Sequence, residues 1–254
     1  MISVVTPTYN TPPHILARTF ASLKAQTFTD WEWVVYDDST DDRVWRQLWG
    51  FCADERYNIR PLRGMSNIGS IGKVKRTAFM AAEGFVLVEL DHDDELASDC
   101  LEELLNAFQN DIGFAYSDWS EHFETGGTGR YPEGWGFGYG GEYKVGEDWV
   151  MAAPQINRTT LSHIVSAPNH VRAWRADVYR ELNGHNPNYP VADDYELVVR
   201  TLLNHDWLHI PKRLYKQHIS PKTAQRKRNA EIQRLVGEIS SSYSEALDAR
   251  FGHD

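Results

Sequence analysis

Short apolar runs alternate with helical stripes through the first half of the chain. Residues 2–6 are a β-branched run that stops at Pro7-Thr8-Tyr9-Asn10, which predicts a buried strand followed by a loop. Thr11-Pro12-Pro13 then opens a helix, and Ile15, Leu16, Phe20 and Leu23 fall on one face of it. Residues 31–36 predict a second strand, ended by Asp37-Asp38-Ser39-Thr40-Asp41-Asp42; residues 43–54 predict a helix and 59–62 a weaker strand. After a glycine-bearing loop at 64–72, a helix is expected over 73–83, terminated by Gly84. Residues 85–90 are the most apolar strand of all and run into Asp91-His92-Asp93-Asp94, with a further helix at about 98–109.

This alternation predicts a mostly parallel sheet with right-handed crossovers. Ligands of such sheets bind beyond the carboxyl ends of the strands, where the loops after Thr6, Tyr36 and Leu90 would meet. The second half reads differently. Residues 124–141 are rich in glycine and aromatics (Trp135, Phe137, Tyr139) with little periodicity, the texture of a functional loop. Residues 170–183 and 194–204 predict helices. From about 224 to 250, Ile232, Leu235, Val236, Ile239, Tyr243 and Leu247 trace a helical stripe that could cover the core, form a homodimer seam or lie on a membrane.

Composition narrows the class. The chain has 254 residues, enough for one large α/β domain, and its 41% hydrophobic and 24% charged content is that of an ordinary globular protein. A net charge of −10 argues against a general nucleic-acid binder. No apolar run approaches the roughly 20 residues that span a bilayer, and no signal-peptide pattern precedes the first strand, so a cytoplasmic location is expected. Cys52 and Cys100 have no metal-ligand or disulfide spacing and are expected to be reduced. Nine Trp and twelve Tyr suit packing, and some could line a sugar-binding cleft. Lys212, Arg213, Lys216, Lys222, Arg226, Lys227 and Arg228 form a basic segment, which is either solvated surface or an attractor for a diphosphate, an anionic acceptor or a membrane surface.

The carboxylates at the strand ends carry the chemistry. In Val86-Leu87-Val88-Glu89-Leu90-Asp91-His92-Asp93-Asp94-Glu95-Leu96, an apolar strand delivers a cluster of carboxylates to its end. Two carboxylates at i and i+2 can approach one hard divalent cation, which takes oxygen ligands and shares them with substrate phosphates. Asp94 or Glu95 could instead serve a helix N-terminus. Asp37-Asp38 ends strand two in the same way, either to hydrogen-bond a nucleoside or to cap the next helix. Asp193-Asp194 precedes a helical run and has the same two readings, cap or catalytic carboxylate.

Four segments in order resemble the inverting family-2 glycosyltransferases of the GT-A fold: Val4 to Asn10, Trp31 to Asp38, Gly84 to Leu96 with its Asp-x-Asp element, and Ala192-Asp193-Asp194-Tyr195-Glu196-Leu197. The resemblance frames roughly residues 1–218 and implies a Rossmann-like α/β fold: a mostly parallel sheet flanked by helices, a smaller acceptor-side region and a C-terminal helix. Residues 1–222 would be one domain, with a nucleotide half at 1–110 and an acceptor half at 111–222; residues 223–254 would be the C-terminal helix.

The resemblance also implies roles. Pro7 and Tyr9 would flank the donor base and Asp38 would hydrogen-bond it, most often uracil. Lys75 would contact the donor. Asp91 would reach the ribose or the metal shell, Asp93 would bind Mn²⁺ or Mg²⁺, and His218 would add a metal or diphosphate contact. Asp194 would be the general base that takes the proton of an acceptor hydroxyl on a glycan, lipid-linked intermediate, protein or small molecule. One base with no second carboxylate as nucleophile implies inversion. The sequence departs from the family pattern at Ser39, where glycine is usual, at Val74-Lys75-Arg76, where Ala-Arg-Asn is usual, and at Asp193, where glutamate is usual. Asn169-His170-Val171-Arg172 and Asn183-Gly184-His185-Asn186 could bind sugar or serve turns. The alternatives are a metal-dependent phosphohydrolase using the strand-end carboxylates, which leaves Pro7 to Asn10 and Asp194 without a role, or a non-catalytic nucleotide-sugar binder.

Overall fold

A computed structural model describes residues 1–130, 141–163, 168–220 and 224–252. The amino-terminal half is the expected alternation: β1 (Ile2–Thr8), α1 (Pro13–Lys24), β2 (Trp31–Asp37), α2 (Arg43–Cys52), β3 (Asn58–Leu62), α3 (Ile71–Ala81) and β4 (Val86–Glu89). β1 lies between β2 and β4 and is parallel to both; β3 adds in parallel outside β2. Every residue of β1 and β2 is buried, because helices cover both faces of this part of the sheet.

A short edge strand β5 (Glu95–Leu96) and α4 (Cys100–Ala107) follow, then β6 (Phe114–Phe123), the β7 (Glu142–Val145) and β8 (Asp148–Met151) hairpin, and α5 (Arg158–His163). The chain continues through β9 (Arg172–Arg175), α6 (Ala176–Glu181), α7 (Asp193–Asn204), β10 (Trp207–Ile219), α8 (Ala224–Ser242) and α9 (Ser244–Phe251). The main sheet order is β3-β2-β1-β4-β9-β6-β10-β5, with the β7–β8 hairpin attached to β6. β9 runs antiparallel between β4 and β6, which joins the two halves into one curled sheet.

Three elements depart from the expected ones. Residues 170–183 are not one helix. Arg172–Arg175 is a strand, because its backbone completes the ladders of β4 and β6 while Ala173 and Trp174 are fully buried. The long strand β10 carries Pro211 at a register shift against β6, and this bulge broke the alternation that would have announced it. Gly84 does not terminate α3, which ends at Ala81 with Ala82 already extended. Its role is close approach: a β-carbon there would lie 2.5 Å from the Ser3 amide nitrogen.

Asn183-Gly184 is the expected turn, with φ of 60° and 63°. The C-terminal stripe is divided between α8 and α9, and Leu235, Val236, Ile239 and Leu247 join the same buried cluster as Ile2, Val4 and Val88. Tyr243 Oη donates to Glu196 Oε1 at 2.9 Å, and Arg158 Nε to Asp248 Oδ1 at 2.6 Å, so these helices are tied onto α7 and α5. Cys52 and Cys100 are both free thiols. Among the described residues no helix is long and apolar enough to cross a membrane.

Gly84→Ala should destabilise the fold by about 1–3 kcal/mol, since the new methyl meets backbone that cannot swing away. Urea denaturation measures this; an unchanged midpoint would mean that β1 and the α3–β4 turn can separate.

Candidate active site

The site lies at the carboxyl ends of β1, β2 and β4. Asn10, in the left-handed region at φ 50°, ties the first loop to the second: its amide donates to Ser39 Oγ at 2.8 Å, and its side-chain oxygen accepts from the Thr40 amide at 3.1 Å. Ser39, where glycine was expected, therefore supplies a latch. Pro7 is buried within β1, whereas Tyr9 beyond it is 54% exposed and free to offer a ring face. Asp37, Asp38, Asp42, Arg63, Met65 and Asn67 are among the residues lining a pocket of about 500 Å³.

Asp38 is more constrained than its sequence context suggested. Its Oδ1 accepts from the Ile68 amide at 2.6 Å, and its Oδ2 from Asn67 Nδ2 at 2.8 Å and the Gly69 amide at 3.0 Å. It thus fastens the glycine-bearing loop over the pocket rather than capping α2, whose first turn has no side-chain cap. Arg63 closes the opposite wall by pairing with Asp42 at 2.6 Å and donating to the Asp41 carbonyl at 2.9 Å.

The loop after β4 is pinned from two sides. Thr19 Oγ1 on α1 donates to the His92 carbonyl at 2.9 Å, and Arg18 donates to the Asp93 carbonyl. Asp94 is buried, accepting from Tyr215 Oη at 2.8 Å and the His218 amide at 2.7 Å. Burial, then Asp93 and Asp91, hold its carboxyl well above the ordinary aspartate range. Asp91 and Asp93 stay about one third exposed, with His170 3.5 Å from one and His92 3.9 Å from the other. Two accessible carboxylates suit a hard divalent cation that takes its remaining oxygens from a diphosphate.

The expected set of Asp91, Asp93 and His218 is not assembled as a metal group. Among the described residues no three His, Cys, Asp or Glu are arranged to hold an ion. The His218 ring is committed instead to Glu95, with Nε2 2.7 Å from Oε1, a contact that lowers the Glu95 pKa.

Behind these loops runs a buried chain of charges. Glu89 has no exposed surface and sits between Lys75, which hydrogen-bonds Oε1, and Arg172, whose Nε lies 2.9 Å from Oε2 as an ion pair. Burial alone would raise the Glu89 pKa, but Arg172 and Lys75 outweigh it and hold the carboxylate ionised. Lys75 thus points inward to Glu89 and is only 5% exposed. Arg172 Nη1 donates to Asp194 Oδ2 at 2.9 Å, and Arg172 Nη2 lies 3.3 Å from His170 Nε2. His170 is neutral, since burial and then Arg172 lower its pKa to about 4. The chain of contacts therefore runs from Asp91 through His170 and Arg172 to Asp194.

Asp193 and Asp194 open α7 but do not cap it, because the cap position is Ala192 with no side-chain bond. Their environments differ. Burial would raise the Asp194 pKa, but Arg172 and then Lys75 override it and bring it to about 2. The Asp194 side chain keeps 31% exposure. Asp193 is 2% exposed; burial raises its pKa to about 7, with Lys75 opposing and Asp194 and Glu89 adding. It packs against Gly72 of α3, where a β-carbon would come within 3.1 Å of the Asp193 Cβ.

Glu89 was not read as a site residue, and His170 and Arg172 were read only as part of a polar stretch that could bind sugar or serve a turn. Glu89 was visible as a lone charge in the most apolar strand, a signal in its own right. Arg172 was hidden because its segment was read as helix. Within the basic segment, Lys212 is 2.8 Å from Glu103, Arg213 2.6 Å from Asp148 and Arg228 2.8 Å from Glu231. Lys222, the side chains of Arg226 and Lys227, and Trp135, Phe137 and Tyr139 lie outside the described residues.

A curled, mostly parallel sheet with carboxylates gathered at its strand ends defines the GT-A fold. Residues 3–182 match the sequence profile of glycosyl transferase family 2, and the chain belongs to that family. It is 28% identical over 230 residues to the uncharacterised protein y4gI of Sinorhizobium fredii, covering 88% of this chain. It is 26% identical over 220 residues to the chondroitin synthase of Escherichia coli, covering 85% of this chain. It spans only 23% and 28% of the lengths of those two relatives. Among solved structures, S. aureus TarS 1–349 in complex with UDP-GlcNAc aligns with a TM-score of 0.70 at 18% identity, covering 98% of this chain and 70% of that one. The mannosyltransferase PcManGT of Pyrobaculum calidifontis, in complex with GDP-Man and Mn²⁺, aligns with a TM-score of 0.66 at 16% identity, covering 96% and 64%.

The raised Asp193 pKa has a stability consequence. Between the unfolded value near 3.8 and the folded value near 7, the folded state holds a proton that the unfolded state has lost. Stability contributed by this group is therefore full below the lower value and declines as pH rises toward 7. Asp193→Asn should remove that decline, so its stability relative to wild type should improve from pH 4.5 to pH 7.5 in urea denaturation. A difference that stays constant with pH would mean that Asp193 is ionised in the folded protein throughout.

Proposed function

We propose that the protein is an inverting, metal-assisted glycosyltransferase that passes a sugar from a nucleotide-diphosphate donor, a UDP-sugar, to an acceptor hydroxyl. The observation that carries this reading is the contact chain from Asp91 to Asp194, which sets a carboxylate from a distant part of the sequence beside the strand-end carboxylates. Family membership supports sugar transfer, and the ligands of similar structures, UDP-GlcNAc in one and GDP-Man with Mn²⁺ in another, support a nucleotide-sugar donor and a divalent ion.

In this reading the nucleoside occupies the pocket between the β2 end and the glycine-bearing loop, with Pro7 and Tyr9 beside the base. Asp38 holds the loop and keeps lone-pair capacity for the base. Asp91 and Asp93 hold Mn²⁺ or Mg²⁺, which would neutralise charge on the leaving diphosphate. Lys75 serves the site through Glu89, and His218 steadies Glu95 at its rim. Asp194, ionised and partly exposed, accepts the proton as the acceptor hydroxyl attacks the anomeric carbon opposite the leaving group. A single carboxylate base with no carboxylate nucleophile predicts inversion. Relatives named for O-antigen biosynthesis, succinoglycan biosynthesis and chondroitin synthesis favour a glycan hydroxyl as the acceptor.

Asp194→Asn should lower turnover of the accepted UDP-sugar by about 10²–10⁴-fold while nucleotide binding is kept. Parallel loss of both would assign Asp194 to structure instead. Asp93→Ala should weaken nucleotide binding in the presence of Mn²⁺ and leave metal-free binding unchanged; equal binding to wild type under both conditions would remove Asp93 from the metal site.

A further inference from the structure

We propose that Arg172 is the positioning residue for the base Asp194, held in place by Glu89; this rests on the functional reading above. Arg172 and Glu89 are cross-strand neighbours on β9 and β4. Both are buried, at 5% and 0% exposure. The guanidinium uses separate nitrogens for separate elements: Nε is 2.9 Å from Glu89 on β4, and Nη1 donates to Asp194 on α7 at 2.9 Å. A planar fork can hold two carboxylates in fixed directions, which a lysine ammonium cannot.

The Asp194 carboxylate is gripped at both oxygens. Oδ1 accepts from the Tyr195 amide at 2.8 Å, and Oδ2 accepts from Arg172. Rotation of the side chain would break one bond or the other, so its orientation relative to the β4 end is set by Arg172. If Arg172 served the fold alone, pairing with Glu89 would suffice; the contact through Nη1 reaches a different element, to the one carboxylate of α7 that is not buried. Glu89 in turn balances the charge of the buried guanidinium at Nε, while Nη2 lies against His170.

The test compares wild type, Arg172→Lys, Arg172→Met, Asp194→Asn and Arg172→Lys/Asp194→Asn, reading UDP release from a UDP-sugar without added acceptor, so that water is the nucleophile. Arg172→Lys keeps the charge and much of the volume, so it carries the test if Arg172→Met fails to fold. The expected result is a kcat about 10²-fold lower in Arg172→Lys, with donor KM nearly unchanged. The double variant should be no slower than Asp194→Asn alone, because the two residues act as one unit. Unchanged kcat, a rise in KM that accounts for the loss, or multiplicative losses in the double variant would overturn the proposal. Crystal structures of the variants decide the same point without turnover: Asp194 should rotate while α7 stays in place, and an unmoved carboxylate would overturn it. Absence of turnover by wild type on every UDP-sugar would count against the functional reading instead, and the structural comparison would still judge Arg172.

Discussion

Glu89 is a carboxylate with no exposed surface, and a charge buried there persists only because two cations meet it. That requirement organises the site. It draws Lys75 inward from α3 and fixes Arg172 on β9, the strand that joins the parallel half of the sheet to the rest. Once Arg172 is fixed, its Nη1 holds one oxygen of Asp194 at the start of α7 and its Nη2 lies against His170. Replacing Glu89 by an apolar residue would leave Lys75 and Arg172 to repel each other inside the protein, with Asp194 as the nearby anion.

Around this centre the strand-end loops are held by neutral and charge-assisted hydrogen bonds. Asn10 and Ser39 join the first two loops, Asp38 fastens the third, and Thr19 with Arg18 pins the fourth to α1. Asp91, Asp93 and Asp194 each keep about one third of their side chain exposed, whereas Asp38 is buried beneath the loop it fastens. Asp193, where burial outweighs the opposing charge of Lys75, has its pKa raised to about 7. Neighbours in sequence thus have opposite electrostatic characters because one packs on Gly72 and the other faces Arg172.

The amino-terminal fold was legible because its strands are continuous apolar runs that end in polar loops, a pattern that burial on both faces produces. The second half was not, for identifiable reasons. β9 has four residues, two of them arginines, and its strand character comes from neighbours rather than from its own pattern. β10 is interrupted at Pro211. The candidate carboxylates were legible one by one, but their partners were not. Nothing in Asn169-His170-Val171-Arg172 announces that one side chain stacks on Tyr215 and the next polar one binds both Glu89 and Asp194. Similarly, His218 lies close in sequence pattern to a metal ligand, yet its ring turns to Glu95 because β10 and β5 are paired at the sheet edge.

The central claim is that the cleft at the ends of β1, β2 and β4 receives a nucleotide diphosphate together with a divalent ion. Titration calorimetry of the intact protein with UDP and with GDP, each with and without Mn²⁺, tests it most directly. UDP should bind, and more tightly when Mn²⁺ is present, with GDP weaker. Tighter binding of GDP would keep the site and correct the base assigned to it. Failure of a folded sample to bind either nucleotide, with or without the metal, would contradict the account.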